Sequence, residues 1–243
     1  MKNANNEKRY KGLAWPTLIE GVLVKRYKRF LADVKLADGS VVTAHCPNSG
    51  SMKECAEPGR KVYISYHDNP KRKLKYTWEM IDMPTSLTGV NTFVPNRLVS
   101  QSIREGSVDE LSGYDTVKPE VSVEAGSRLD LLLARGENEK CFVEIKNCTL
   151  VTHGEAYFPD AVTARGLKHL RVLEKLVSKN YRCVMFYLIQ RMDANVFKPA
   201  DHIDPAYGQA LREAVKNGVE ILVYDVRIDL EKIVLGNRIP HAL

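Results

Sequence analysis

Asp130, Glu144 and Lys146 are the residues of this chain whose types and spacing could do chemistry. They lie in the stretch SRLDLLLARGENEKCFVEIKN, from Ser127 to Asn147. Leu129, Leu131 and Leu133 alternate with Asp130 and Leu132, and Val143 and Ile145 alternate with Phe142, Glu144 and Lys146, the period of two β-strands. The charged turn between them, Arg135 to Lys140, carries Gly136 and Asn138, both suited to a chain reversal. Closure near Glu137–Asn138 puts Asp130 across from Glu144 or Lys146, where opposed Cβ atoms stand roughly 4.5–5.5 Å apart.

Two carboxylates on one sheet face repel unless a cation or a proton intervenes. A hard divalent ion such as Mg²⁺ takes one or two protein carboxylates and keeps its waters for substrate phosphates. There it polarises a phosphoryl oxygen and lowers the pKa of a bound water. Lys146, two residues beyond Glu144, could orient that water or offset transition-state charge. An E-x-K by itself is a weak signal, and Asp33-Val34-Lys35 places a similar triplet upstream. The residues alone leave two readings: a metal site, or an outward-facing strand pair in which Lys146 bonds a carboxylate at the surface.

The positioning elements come from the rest of the chain. Upstream, Thr17–Val24 and Arg29–Leu36 alternate, Asp38-Gly39 turns into Val41–Cys46, Val62, Ile64 and Tyr66 alternate, and Lys75–Met83 completes five short strands. That pattern predicts a small OB-like barrel over 16–84. Residues 1–15 read as a flexible tail and the Pro84–Pro95 stretch as a linker over 85–95. A helix follows from Asn96, a plausible N-cap, to Glu105, then a strand near Glu120–Glu124 and the hairpin. A helix begins near Asp160 with Leu167, Leu170, Leu173, Leu176 and Val177 as its buried stripe; Arg165, Lys168, His169 and Arg171 lie off it. Tyr181–Ile189 is apolar enough for a strand buried on both faces. A helix at Pro205–Asn217 and a strand at Glu220–Val226 close the chain. The order predicts an α/β (α+β overall) chain whose 96–243 unit is a mixed sheet flanked by helices.

Charge divides unevenly. The net charge is +6. Residues 1–90 hold 16 Lys/Arg against 9 Asp/Glu, and residues 91–243 hold 20 against 21, so the excess belongs to the barrel end. Concentrated basic charge points to a polyanion, nucleic acid ahead of membrane. Arg26, Lys28 and Arg29 (with Lys25) cluster at one strand junction, and Lys71, Arg72, Lys73 and Lys75 in one turn. Tyr27, Phe30, Tyr76 and Trp78 are interleaved with them, a mixture suited to single-stranded nucleic acid; core strand residues in a solvated charged surface are the alternative. Arg165, Lys168 and His169 are likewise either ordinary helix surface or phosphate contacts at the mouth of the site.

No apolar run approaches a membrane span, and the start of the chain has no secretory h-region. Five cysteines without a C-x-x-C pair predict reduced thiols, hence a cytoplasmic protein. The six histidines form no H-x-x-x-H or H-E-x-x-H, which argues against a zinc hydrolase. There is no Walker or dinucleotide fingerprint and no evident small-molecule cofactor. Ser49-Gly50-Ser51 reads as a tight turn whose backbone could approach a phosphate.

The segments TAHCPNSGSM, SRLDLLL, FVEIKNCTLV and FPDAVTARGLKHLRVL, in this order, resemble the sugar fermentation stimulation protein family (SfsA), from about Pro16 to Tyr224. The resemblance implies an N-terminal OB-like domain and a C-terminal PD-(D/E)xK nuclease-like domain. It also implies DNA binding with little sequence specificity (single- or double-stranded DNA) and a transcription-regulatory role in sugar (maltose) metabolism. Asp130 maps onto the "D" and Glu144-Ile145-Lys146 onto the "E-x-K", which gives Asp130, Glu144 and Lys146 catalytic roles in a nuclease dependent on Mg²⁺ or Mn²⁺. Many such enzymes carry another acidic ligand on the helix before the sheet. Here that helix offers only Glu105, and Glu120 on the first strand is the nearer candidate metal ligand, with Asp130 and Glu144.

Overall fold

Alternating residues of the N-terminal strands close into a barrel because one face of each is apolar and has to leave water. The computed structural model describes residues 11–124 and 126–243. A two-residue strand, β1 (Leu13–Ala14), precedes β2 (Leu18–Tyr27), β3 (Leu31–Leu36), β4 (Val41–His45), β5 (Lys61–Tyr66), β6 (Tyr76–Met83) and β7 (Ser86–Gly89). The barrel sheet runs β4-β3-β2-β5-β6-β7 and is closed by parallel pairing of β4 with β6, Ala44 opposite Tyr76. Leu23, Ala32, Val34, Val62, Ile64 and Trp78 fill it. Trp78 is core and not a stacking platform: it is fully buried and its indole N–H donates to the Met80 carbonyl at 2.8 Å.

Beyond the barrel lie α1 (Val94–Arg104), a 3-10 turn at Asp109–Leu111, β8 (Thr116–Glu124), β9 (Ser127–Arg135), β10 (Glu139–Cys148), β11 (Leu150–Thr152), β12 (Glu155–Phe158) and α2 (Ala164–Val177). The chain ends with β13 (Arg182–Ile189), β14 (Val196–Pro199), α3 (Pro205–Lys216), β15 (Glu220–Ile228) and β16 (Lys232–Arg238). Seven strands form a mixed sheet in the order β1-β16-β15-β13-β10-β9-β8, and β11-β12-β14 form a small second sheet. The apolar run of β13 is buried on both faces. Val184, Phe186 and Leu188 pack on the α1 side with Tyr63 and Met80 of the barrel, and Cys183, Met185, Tyr187 and Ile189 pack towards α2 and α3. All five cysteines are buried free thiols.

Several expected boundaries move. Leu13–Ala14 pairs with β16 and the Trp15 indole donates to the Asp229 carbonyl at 2.9 Å, so this part of the expected tail is anchored; residues 1–10 lie outside the described residues. Ser86–Gly89, inside the expected linker, pairs with β6; its polar composition hides a strand whose Ser86, Thr88 and Gly89 are buried. The first helix starts at Val94, with Pro95 in its first turn, where a missing N–H costs nothing. Asn96 is therefore inside the helix and does not cap it. The next helix starts at Ala164, capped by the Thr163 hydroxyl, which accepts from the Gly166 N–H at 3.0 Å. Its buried stripe is Gly166, His169, Leu170, Val172, Leu173 and Leu176, with His169 inside it.

Asp160 has a different use. Its carboxylate accepts from the Met52 N–H at 3.1 Å and the Ser51 hydroxyl at 3.4 Å, tying the barrel's 47–52 loop to the approach to α2. A Cβ at Gly50 would fall 2.4 Å from Asp160 Oδ2, so this backbone does approach an anion, but one from its own chain.

Candidate metal centre

β9 and β10 pair antiparallel from Arg135–Glu139 to Leu131–Val143, joined by a turn at 136–138 with Gly136 at φ 58°. The ladder stops there, while β10 continues along β13 to Cys148. Asp130 and Glu144 are the next positions on each strand, so they stand where the hairpin opens. Across β9 the partner strand is also interrupted: Pro119 pairs with Leu131 and Val121 with Leu129, and Glu120 between them takes φ 55°.

Strand alternation sets the faces. Cys141, Val143 and Ile145 point to the α1 side, so Phe142, Glu144 and Lys146 share the face that α2 covers. Glu144 is 2% exposed. Its Oε1 accepts from the Lys146 ammonium and from His169 Nδ1; the carboxylate has no proton to give, so Nδ1 carries it. Oε2 is buried and has no hydrogen-bond partner among the described residues. Burial opposes the charge of Glu144, but Lys146 and His169 outweigh it and hold its carboxyl below the ordinary range. Asp130 moves the other way, pushed up to about 6 by burial and then by the Glu144 charge. The Ile145 N–H, which donates to its Oδ2 at 2.7 Å, Lys146 and Asn96, which donates to its Oδ1 at 2.8 Å, oppose that rise.

The donor set fits a hard cation. Two carboxylates on neighbouring strands repel each other, one carries a buried acceptor unsatisfied among the described residues, and leaving such an acceptor unpaired costs on the order of 1–3 kcal/mol. Asp130 and Glu144 would hold the ion. Glu120 does not join them: its carboxylate pairs with Arg128 at 3.1 Å on the surface, and the described residues contain no group of three or more His, Cys, Asp or Glu arranged to hold a metal. Glu120 does line the roughly 450 Å³ cavity that reaches Asp130, with Asn96, Arg97 and Arg104.

The expected phosphate-contacting residues fall into three groups. Lys28 and Arg29 are exposed at the β2–β3 turn, both in the left-handed region, and Lys71 and Lys73 are exposed in the β5–β6 loop. Arg165 and Lys168 border a cleft with Arg128 and His169 on the α2 side of the site; Lys168 donates to the Gly126 carbonyl at 3.0 Å. The others are engaged. Arg26 donates to the carbonyls of Arg29, Asn48, Gly50 and Ser51 and serves as a brace for the 47–52 loop. Arg72 donates to Thr77 at 2.8 Å, and Lys75 to the Asn69 carbonyl at 3.2 Å. Sequence reasoning missed Asn96 as a member of the site and placed His169 on the outer helix face, whereas it is buried against Glu144. The signal for His169 was its i+4 and i+7 spacing from Leu173 and Leu176, which places it in the buried stripe, where a histidine needs a partner.

A closed five-strand barrel joined to a helix-flanked mixed sheet defines the class: an OB-like domain followed by an α/β domain with two carboxylates at a strand fork. Residues 24–90 match the family model "SfsA N-terminal OB domain" and residues 93–232 match "Sugar fermentation stimulation protein RE domain". The chain belongs to the sugar fermentation stimulation protein (SfsA) family. It is 52% identical over 228 residues to the sugar fermentation stimulation protein homolog of Geotalea daltonii, covering 94% of this chain and 98% of the relative. It is 55% identical over 227 residues to that of Geobacter metallireducens, covering 93% and 97%. The solved structure of Pyrococcus furiosus SfsA in complex with Ca²⁺ shares its fold, with TM-score 0.87 at 24% identity over 95% of this chain and 98% of the other. Among the described residues no helix is long and apolar enough to cross a membrane.

Proposed function

We propose that this protein binds DNA with little sequence preference and hydrolyses its phosphodiester bonds at Asp130, Glu144 and Lys146 with Mg²⁺ or Mn²⁺. The observation that carries the reading is the Glu144 carboxylate, almost fully buried at a strand fork with one oxygen unpartnered and Asp130 beside it. A pure scaffold has no use for that arrangement. The relative from Pyrococcus furiosus was solved with Ca²⁺, a cation of the same oxygen-ligand class.

A divalent ion bound there would polarise a phosphoryl oxygen and acidify a water. The chain's own residues do the rest. Asn96 and the Ile145 N–H fix the Asp130 carboxylate. His169 fixes Glu144 and leaves Lys146 the neighbour that can turn from Glu144 towards an attacking water or a developing negative charge. Binding rests on the barrel. Lys28 and Arg29 sit in its first loop and Lys71 and Lys73 in its fourth, the two loops with which OB folds grip oligonucleotides.

The test incubates purified protein with single- and double-stranded DNA, with and without metal, beside Asp130→Ala and Lys146→Ala. Cleavage that requires metal and is lost in both variants is expected; no cleavage, or equal cleavage by the variants, rejects hydrolysis. Binding should weaken as salt rises from ~50 to ~200 mM, by about 0.9 in log–log slope per duplex phosphate contact. Salt-independent binding rejects the electrostatic interface. A second reading is binding without turnover, in a regulator of sugar metabolism. It is favoured by the tie between Glu120 and Arg128, which keeps a third acid away from the pair. The same assay separates the two.

A further inference from the structure

A cavity of about 500 Å³ opens between the barrel and α1, and neither Asp130 nor Lys146 lines it. His45, His67, Arg72 and Glu79 come from the barrel side, Phe93 and Arg97 from the start of α1, and Trp15 from the N-terminal segment. It shares Leu13 and Arg97 with the cavity that reaches Asp130, so the two spaces are consecutive and Arg97 stands between them.

The polar groups divide into scaffold and free. Glu79, 4% exposed, accepts from the Ser65 hydroxyl at 2.6 Å and from Asn91 Nδ2 at 2.7 Å, so its carboxylate is satisfied within the chain. Ser65 gives its proton to Glu79 and is left to accept from His67 Nε2 at 3.0 Å, which makes His67 Nδ1 an acceptor. Burial and then the Arg72 charge hold both His45 and His67 below the ordinary histidine range, so near neutral pH they are uncharged hydrogen-bonding rings. Positive charge therefore comes from Arg72, bonded to Thr77, and Arg97, which has no hydrogen bond or ion pair among the described residues. Phe93 is 64% exposed at the rim, a large ring that packing does not explain.

Two guanidinium groups, two neutral imidazoles and two aromatic faces suit an anion joined to a flat heteroaromatic group. The volume lies in the range of about 300–1,000 Å³ typical of small-ligand sites. Taken as a cube the space is about 8 Å across, narrower than the ~12 Å major groove of a duplex alone, so paired DNA does not enter. We infer that this cavity is a nucleotide subsite for an unpaired strand, with a base against Phe93 and Trp15, a phosphate between Arg72 and Arg97, and the adjoining phosphate led to Asp130. The last element rests on the proposed hydrolysis; the subsite itself does not.

The test measures fluorescence anisotropy of a short oligo(dT) and of a hairpin duplex in EDTA, where neither metal nor turnover enters and a failed cleavage assay leaves the result readable. Phe93→Ala removes an exposed ring and leaves the core intact, and Arg97→Ala removes no bond among the described residues. Each is expected to weaken oligo(dT) binding, Phe93→Ala by roughly 5- to 150-fold, the value of one base–aromatic stack, with duplex binding nearly unchanged. Unchanged oligo(dT) binding, or equal losses on both ligands, overturns the inference.

Discussion

Two short acidic-x-lysine triplets sit on strands of this protein, and their surroundings differ. Asp33-Val34-Lys35 lies on β3 of the barrel. There Asp33 accepts from the Tyr27 hydroxyl at 3.1 Å and the Thr43 hydroxyl at 2.8 Å and pairs with Lys25 at 3.7 Å. Glu144-Ile145-Lys146 lies on β10 at the centre of the larger sheet. One oxygen of Glu144 is crowded by two donors, the other is buried with none, and a second carboxylate stands beside it. The first triplet is a finished surface network. The second leaves one buried carboxylate oxygen without a donor among the described residues. Chemistry follows from burial and an open acceptor, and the triplet itself carries little of it.

The comparison breaks most easily in kinetics. Asp130→Ala or Lys146→Ala should cut metal-dependent cleavage by about 10²–10³-fold or more. Asp33→Ala and Lys35→Ala should leave it near wild type. Single-turnover rates on one DNA substrate check both pairs, and an equal loss at the barrel triplet erases the distinction.

The next effect is pH-dependent. Asp130 is pushed up to about 6, whereas an unfolded aspartate titrates near 3.9. Between those values the folded chain binds more protons than the unfolded one, so metal-free stability should fall as pH rises from about 4 to about 6. Asp130→Asn should remove that part of the slope, on the order of 1–3 kcal/mol. Melting curves of wild type and variant at pH 5 and 7.5, in EDTA, measure it. Saturating metal should restore wild-type stability at the higher pH.

His169→Ala leaves Glu144 with Lys146 as its one partner and should cost about 1–3 kcal/mol, read by urea unfolding. The smallest effect falls at Asn96. Asn96→Ala removes one hydrogen bond to Asp130, about 0.5–1.5 kcal/mol, and should lower the cleavage rate more than DNA affinity.

The barrel and the β9–β10 hairpin were legible in sequence because both depend on strand alternation, which the chain writes locally; grouping Asp130, Glu144 and Lys146 as one site took the family resemblance as well. Asp130 and Glu144 fell on facing positions for that reason. Asn96 and His169 reach the site from helices on opposite faces of the sheet, and no local pattern reports a contact made through tertiary packing. Pro95 did carry a signal, since a proline in the first turn marks a helix start ahead of Asn96. Strand β1 has two residues and pairs with β16 from the far end of the chain, and β7 is short and polar, so pairing alone reveals them. Arg26 looked like its basic neighbours; that four backbone carbonyls claim it depends on where the 47–52 loop folds back.

The central claim is that the second triplet is completed by a divalent cation. Calorimetric titration of the metal-free protein with Mn²⁺, beside Glu144→Gln and Asp33→Asn, tests it directly. The account predicts saturable binding to wild type and to Asp33→Asn, and its loss in Glu144→Gln. Absence of binding to wild type, or undiminished binding by Glu144→Gln, would contradict it.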